Sequence, residues 1–360
     1  MAVSHPYSEL TPDQVIGAVE SRGLRCDGRF IALNSYENRV FQVMLEADAW
    51  IHYRGAAAGN ERMLTSLLFS AETQSLARED APVIAKFYRP GRWSDEQILE
   101  EHAFATELME RELPVIAPLA DSTGKTLSTH AGFRFALFPK QAGRAPELDR
   151  ADTLEWLGRF LGRIHAVGAI DPFRQRPVLN CDTFGHEPLA FLLAGGWIPG
   201  ELVDSYRAIA EQLLDAVERR FSEAGEIRKI RLHGDCHAGN ILWTEAGPHF
   251  VDLDDCRSGP AIQDLWMLLS GDQQEMSQQL GKVLSGYREF YEFDVRELAL
   301  VEPLRALRMI NYAAWLASRW DDPAFPAAFP WFGTQRYWQD QVLQLREQMA
   351  MLEEPLLKIN

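Results

Sequence analysis

His233, Asp235 and Asn240 stand together in IRLHGDCHAGNILW, and twelve residues beyond Asn240 a second acidic cluster opens at Asp252 in HFVDLDD. These side-chain types suit phosphoryl transfer to a hydroxyl. One carboxylate takes or orients the hydroxyl proton, while an amide oxygen and a second carboxylate hold a divalent cation that bridges the phosphates.

The spacing is H-x-D-x-x-x-x-N, that of a kinase catalytic loop. Its context agrees: an apolar strand end, Ile230 to Leu232, precedes it, and a second apolar piece, Ile241 to Trp243, follows before the acidic turn. Asp235 is read as the proton acceptor, a contribution of about 10²–10⁴-fold in rate. Asn240 and Asp252 supply the hard oxygens that Mg²⁺ prefers. His233 is read as a scaffold for the loop. Asp254 and Asp255 are either support beside the ligand or a solvated turn, and Asp252, behind Phe250-Val251, is the better ligand. His233, Cys236 and His237 fit no zinc spacing, so Cys236 and His237 are read as loop packing.

A cation for the nucleotide phosphates is also required. Lys86, in VIAKFYRP, is the lysine of the first half flanked by Ile84, Ala85 and Phe87, and an ammonium buried there needs an anionic partner. Glu100 and Glu101 on the next helix both qualify, and Glu101 is preferred. No G-x-G-x-x-G or Walker sequence is present, so another loop must cover the phosphates. Asn34 to Arg39 has the position for it, with the Ser35 hydroxyl and Asn38 among its polar groups; the alternative is an ordinary polar hairpin turn.

The elements that must carry these residues fall into two groups. A helix over Thr11 to Ser21, strands over Asn34 to Leu45 and Pro82 to Tyr88, a helix from Ser94, and strands near 125–128 and 133–138 make up the first. Residues 46–80 read as an insertion on a hairpin loop, with an apolar patch, Leu64 to Phe69, inside it. After Pro139-Lys-Gln-Ala-Gly143 the pattern becomes helical, with a small hairpin at 241–253 and helices through 262–270, 275–290, 295–320 and 338–352. The expectation is an α+β, two-lobed fold: residues 1–138 a β-rich N-lobe, residues 139–360 a larger, mainly helical C-lobe. The aromatic residues from Trp315 to Trp338 either pack the last helices or line the acceptor cleft, and packing is preferred.

A chain of 360 residues is long for one core and suits two lobes. Lys and Arg number 36 against 52 Asp and Glu, a formal charge of −16 that repels nucleic acid and anionic lipid. Four cysteines without paired short spacings suggest neither a disulfide framework nor a zinc ribbon, and fit a reducing compartment. No apolar run reaches membrane-spanning length and the N-terminus lacks an export pattern, so a cytoplasmic protein is expected.

LNSYENRVFQV, AKFYRPGRWSDEQILEEH, LHGDCHAGNILW, FVDLDD, GPAIQDLWMLLSGD and EPLRALRMINYAAWLASRW together resemble the stress response kinase A family, over roughly Thr11 to Leu356. The resemblance implies a protein-kinase-like, aminoglycoside-phosphotransferase-like fold and a cytoplasmic enzyme of stress survival. It further implies an ATP- and Mg²⁺-dependent Ser/Thr protein kinase, with Asp235 as proton acceptor, Asn240 and Asp252 as Mg²⁺ ligands and Ser35 as a candidate autophosphorylation position. Residues 46–80 depart from the family pattern, which has a much shorter hairpin there. A monomer acting on a protein hydroxyl is expected. The alternatives are a kinase of small alcohols (aminoglycoside, choline or homoserine) and a catalytically silent nucleotide-binding scaffold.

Overall fold

The computed structural model describes residues 5–47, 49–50 and 82–359. Helix α1 (Pro12–Glu20) starts as its sequence dictates, with Thr11 and Gln14 forming a reciprocal capping box and Pro12 in the first turn. Strands β1 (Cys26–Ala32), β2 (Arg39–Leu45), β3 (Val83–Phe87), β4 (Ser128–His130) and β5 (Phe133–Pro139) form an antiparallel sheet in the order β1-β2-β3-β5-β4. Between β3 and β4 runs α2 (Asp95–Glu110), capped by Ser94 and Gln97.

The two-residue period of β2 and β3 sorts their side chains. Val43, Val83, Ala85 and Phe87 enter a core shared with Val15, Ala18 and Val19 of α1 and with Phe135 and Leu137 of β5. Val40, Gln42, Ile84 and Lys86 take the other face and line a cleft. Val40 and Ala136 flank Lys86 in register.

The second region is built mainly of helices. Helix α3 (Ala151–Gly168) packs closely on α7 (Gln273–Tyr287); a Cβ on Gly158 would collide with the Val283 carbonyl oxygen, so only glycine permits this approach. Around this pair lie α4 (Glu187–Ala194), α5 (Val203–Ala224), α6 (Ile262–Trp266), α8 (Val301–Ala317), α9 (Ala324–Ala328) and α10 (Gln335–Met351). Two short antiparallel pairs carry the chemical residues: β6 (Ile230–Leu232) with β9 (Arg257–Gly259), and β7 (Ile241–Thr244) with β8 (Gly247–Phe250). Val115 bridges in parallel to Phe250, joining the chain after α2 to that hairpin.

Several expectations need correction. The segment from Asn34 becomes strand only at Arg39, because the Asn38 amide oxygen accepts the Arg89 N–H at 3.1 Å and holds the preceding residues as a loop. The edge strand β1 has no counterpart in the sequence reading, because most of its side chains are exposed and it lacks alternation. The strand expected near 125–128 lies at Ser128–His130. The helix expected over 295–320 is a 3₁₀ segment, Val295–Leu300, followed by α8. Thr334 caps α10, which therefore begins before Trp338. Strands β2 and β3 are antiparallel neighbours, so residues 46–82 connect a hairpin; the 46–80 reading and its patch Leu64 to Phe69 lie almost wholly outside the described residues.

Candidate active site

Lys86 is buried on β3, and three carboxylates surround its ammonium: Asp252 at 2.9 Å, Asp254 at 3.1 Å and Glu101 at 3.6 Å. Burial alone would drive its proton off, but the three anions outweigh burial and hold the ammonium charged. Glu101 projects from α2 and is itself pushed up to about 7 by burial, against the pull of Lys86. The choice between neighbouring glutamates is settled by geometry. Glu100 points the other way and accepts the backbone N–H groups of Arg174, Gln175 and Arg176 at 2.6, 2.8 and 2.7 Å.

The loop after β6 is held from two sides. Asp264, fully buried on α6, accepts the N–H groups of His233 and Gly234 at 2.8 Å each, and its Oδ2 lies 3.1 Å from His165 Nε2. His165 comes from α3 and its Nδ1 meets the Tyr287 hydroxyl of α7 at 2.8 Å, so the tight helix pair braces the loop. From the other side, His233 Nε2 contacts the Val251 carbonyl at 2.9 Å, the scaffold role read from sequence. Gly234 turns the chain at φ 86°, where a Cβ would strike the Asp255 carbonyl oxygen. Gly234→Ala is expected to cost at least about 1–3 kcal/mol from the left-handed backbone alone. Thermal denaturation checks this; an unchanged melting temperature would mean the Asp255 turn yields freely.

Beyond that turn, Asp235 meets Arg308 of α8 at 2.7 Å and His237 Nε2 at 3.4 Å. Burial would raise its pKa, but the His237 contact and the Arg308 charge outweigh burial and hold the carboxyl well below the usual range. Cys236 is buried in the helical core, whereas His237 does more than pack: its Nδ1 accepts the Gly239 N–H at 2.9 Å while its other nitrogen faces Asp235. Asn240 donates from Nδ2 to the Asp235 carbonyl at 2.9 Å, which leaves its oxygen end for a cation.

The hairpin β7–β8 fixes what lies next to Asn240. Ile241 pairs with Phe250, and the Val251 N–H donates to the Asn240 carbonyl at 3.0 Å, so Asp252 emerges at the same end. Asp252 takes left-handed backbone, φ 60° and ψ 64°, which aspartate tolerates better than most residues. Its side chain stays half exposed. Asp254 is no solvated turn: it is buried between Lys86 and Arg92, which offset burial and hold it down at about 2. Asp255 pairs with Arg92 at 2.8 Å and Arg257 at 2.7 Å. Arg176, stacked 4.2 Å over Trp93, donates to the carbonyls of Asp254 and Cys256 and fixes this turn from behind.

All seven residues singled out in the sequence, Ser35, Asn38, Lys86, Glu101, Asp235, Asn240 and Asp252, line one cleft of about 670 Å³. Its size suits a nucleotide-sized ligand. Asn38 contributes by holding its loop, since its oxygen is taken by Arg89. The loop is also tied across the cleft: Glu37 accepts from Trp315 Nε1 of α8 at 2.5 Å and from Arg319 Nε, just past the end of α8, at 2.8 Å. Asn240 and Asp252 form a hard-oxygen pair of the kind that suits Mg²⁺, which takes few protein ligands and completes its shell with water and phosphate. The half-exposed Asp252 carboxylate is open to such an ion.

The sequence profile of the phosphotransferase enzyme family matches residues 69–301. Stress response kinase A of Escherichia coli (strain K12) is 42% identical over 353 residues, covering 98% of this chain and 97% of that protein. The chain belongs to the stress response kinase A family. The serine/threonine protein kinase RdoA of Salmonella typhimurium is also 42% identical, with the same coverage. Among solved structures, amicoumacin kinase hAmiN in complex with AMP-PNP and Ca²⁺ superposes with a TM-score of 0.69 at 18% identity, covering 99% of this chain and 96% of that one. The spectinomycin phosphotransferase APH(9)-Ia gives 0.62 at 13% identity over 94% and 98%. This family member therefore has the aminoglycoside phosphotransferase-like kinase fold, a small antiparallel sheet beside a helical region. Among the described residues no helix is long and apolar enough to cross a membrane.

Sequence reasoning missed Arg92, Arg176, Asp264 and Arg308. Arg92, Asp264 and Arg308 stand in stretches that carry the family resemblance, YRPGRW, AIQDLW and EPLRALRMINY, yet none has a spacing that announces a role. Of the aromatic stretch, Phe325, Phe332 and Trp338 are fully buried, as packing required, but Trp315 lines the cleft.

Proposed function

We propose that this chain transfers the γ-phosphoryl group of ATP, with Mg²⁺, to a Ser or Thr hydroxyl of a protein, and serves a cytoplasmic stress response. One observation carries the transfer chemistry: the Lys86 ammonium meets both Glu101 and Asp252 on the wall of the cleft that Asp235 also lines. Support for a protein acceptor is the relatives' naming as stress response and serine/threonine protein kinases, at 42% identity over nearly the whole chain.

Each residue then has a task. Lys86, kept charged by its carboxylates, binds phosphate oxygens, and Glu101 holds it in place. Asn240 and Asp252 hold the Mg²⁺, which when bound neutralises charge on the phosphate oxygens. Asp235 accepts the hydroxyl hydrogen as the substrate oxygen bonds to the γ-phosphorus and the bond to the β-phosphate oxygen breaks. A carboxyl held this far down is a weak base, so it mainly orients the hydroxyl until the transfer is advanced, as a loose transition state allows. Ser35, in the loop over the cleft, is the proposed autophosphorylation position.

The test is incubation with γ-labelled ATP, Mg²⁺, a mixture of Ser/Thr-rich proteins and a panel of small alcohols. Label on protein Ser or Thr is expected. Label on the alcohols alone would overturn the protein acceptor, and nucleotide binding with no transfer at all would favour a silent scaffold.

A further inference from the structure

The charge pattern around Asp235 bears on which acceptors the cleft admits. Every carboxylate lining it, among the described residues, is already ion-paired within the protein, Asp235 with Arg308 and the others with Lys86, Arg92, Arg257 or Arg319. A cationic acceptor such as an amino sugar would find no unpaired anion there, and unpaired like charges at contact are unfavourable. An anionic one fares differently. The side chains of Lys86, Arg92 and Arg257 are 7–10% exposed, whereas that of Arg308 is 41% exposed. The Arg308 guanidinium donates to Asp235 at 2.7 Å and forms no other hydrogen bond among the described residues. A guanidinium carries five N–H donors in a planar fork, and a second carboxylate is the group that fork fits.

We propose that Arg308 is an acceptor-specificity residue: it binds a carboxylate of the substrate protein placed next to the Ser or Thr whose hydroxyl meets Asp235, so the enzyme selects acid-flanked sites. This rests on the protein-kinase reading above. Because Arg308 and the hydroxyl share Asp235 as neighbour, the recognised group lies within a residue or two, at about 3.3–3.6 Å of chain each. Asn311 and Tyr312, on the next turn of α8, line the same wall and bring no competing negative charge. The formal charge of −16 disfavours acidic chains at a distance. Salt screens that field beyond about 8 Å at physiological strength, so contact at Arg308 decides.

The experiment compares three peptides identical except for Glu, Ala or Lys on either side of the single Ser. For the unmodified enzyme kcat/KM is expected to be about 10- to 100-fold higher for the Glu peptide than for the Ala peptide, the range of a charge-assisted hydrogen bond. In Arg308→Ala the ratio should fall towards one, and in Arg308→Glu the order should invert in favour of Lys. Each ratio is taken within one variant, so any general loss of turnover from disturbing Asp235 cancels. Equal use of all three peptides by the unmodified enzyme, or a Glu preference that survives Arg308→Ala, overturns the assignment to Arg308 and leaves the kinase reading intact. Transfer to small alcohols but to none of the peptides overturns the protein reading and this inference with it.

Discussion

Asp235→Asn is expected to lower turnover towards the smaller end of the roughly 10²–10⁴-fold range of general-base effects, with nucleotide affinity changed only a few-fold. The smaller end follows from two observations. The carboxyl is held well below its ordinary pKa by His237 and Arg308, and a loose phosphoryl-transfer transition state asks for orientation more than for proton removal. Nucleotide binding is spared because Lys86, Glu101 and the Asp252–Asp255 turn form a separate set of ion pairs in which Asp235 takes no part. Steady-state kinetics beside a nucleotide titration checks both halves. Full turnover in the Asn variant would remove Asp235 from the chemistry.

Asp264→Ala should give the largest loss of stability among the residues around the cleft. The buried carboxylate satisfies the N–H groups of His233 and Gly234 and pairs with His165. Its removal leaves two buried backbone donors without partners, at about 1–3 kcal/mol each. Against a total of about 5–15 kcal/mol for a folded domain, that is a large share. Turnover should fall too, because the same bonds aim the loop that presents Asp235. Urea denaturation measures the first effect; a variant that unfolds at the parent's midpoint would mean that water or a relaxed loop replaces the carboxylate.

These two residues mark how far the sequence could be read. Asp235 was legible because its partners are local: five residues to Asn240, two to His233, with apolar strand ends on either side. Asp264 was not, although it stands only 29 residues beyond Asp235, since its value lies in accepting backbone N–H groups, which leave no trace in residue type. Arg308 is hidden more deeply, being joined to Asp235 only by the path of α8 across the cleft. Glu100 and Glu101 are a finer case. They are adjacent and chemically alike, and a single residue step of about 100° around α2 sends one to Lys86 and the other to the 174–176 backbone.

The amino-acid sequence by itself determined the reaction class, the family, the helix starts at Thr11 and Ser94, and the residues that meet in the cleft, because these rest on short spacings and on local periodicity. Only the tertiary structure decided which glutamate holds Lys86, that Asp254 is a buried ion-pair partner, and that Arg308 faces the carboxylate of Asp235. The reason is physical. Pairing of charges and backbone donors depends on direction and distance between segments far apart in the chain, and those are set by the packing of whole elements.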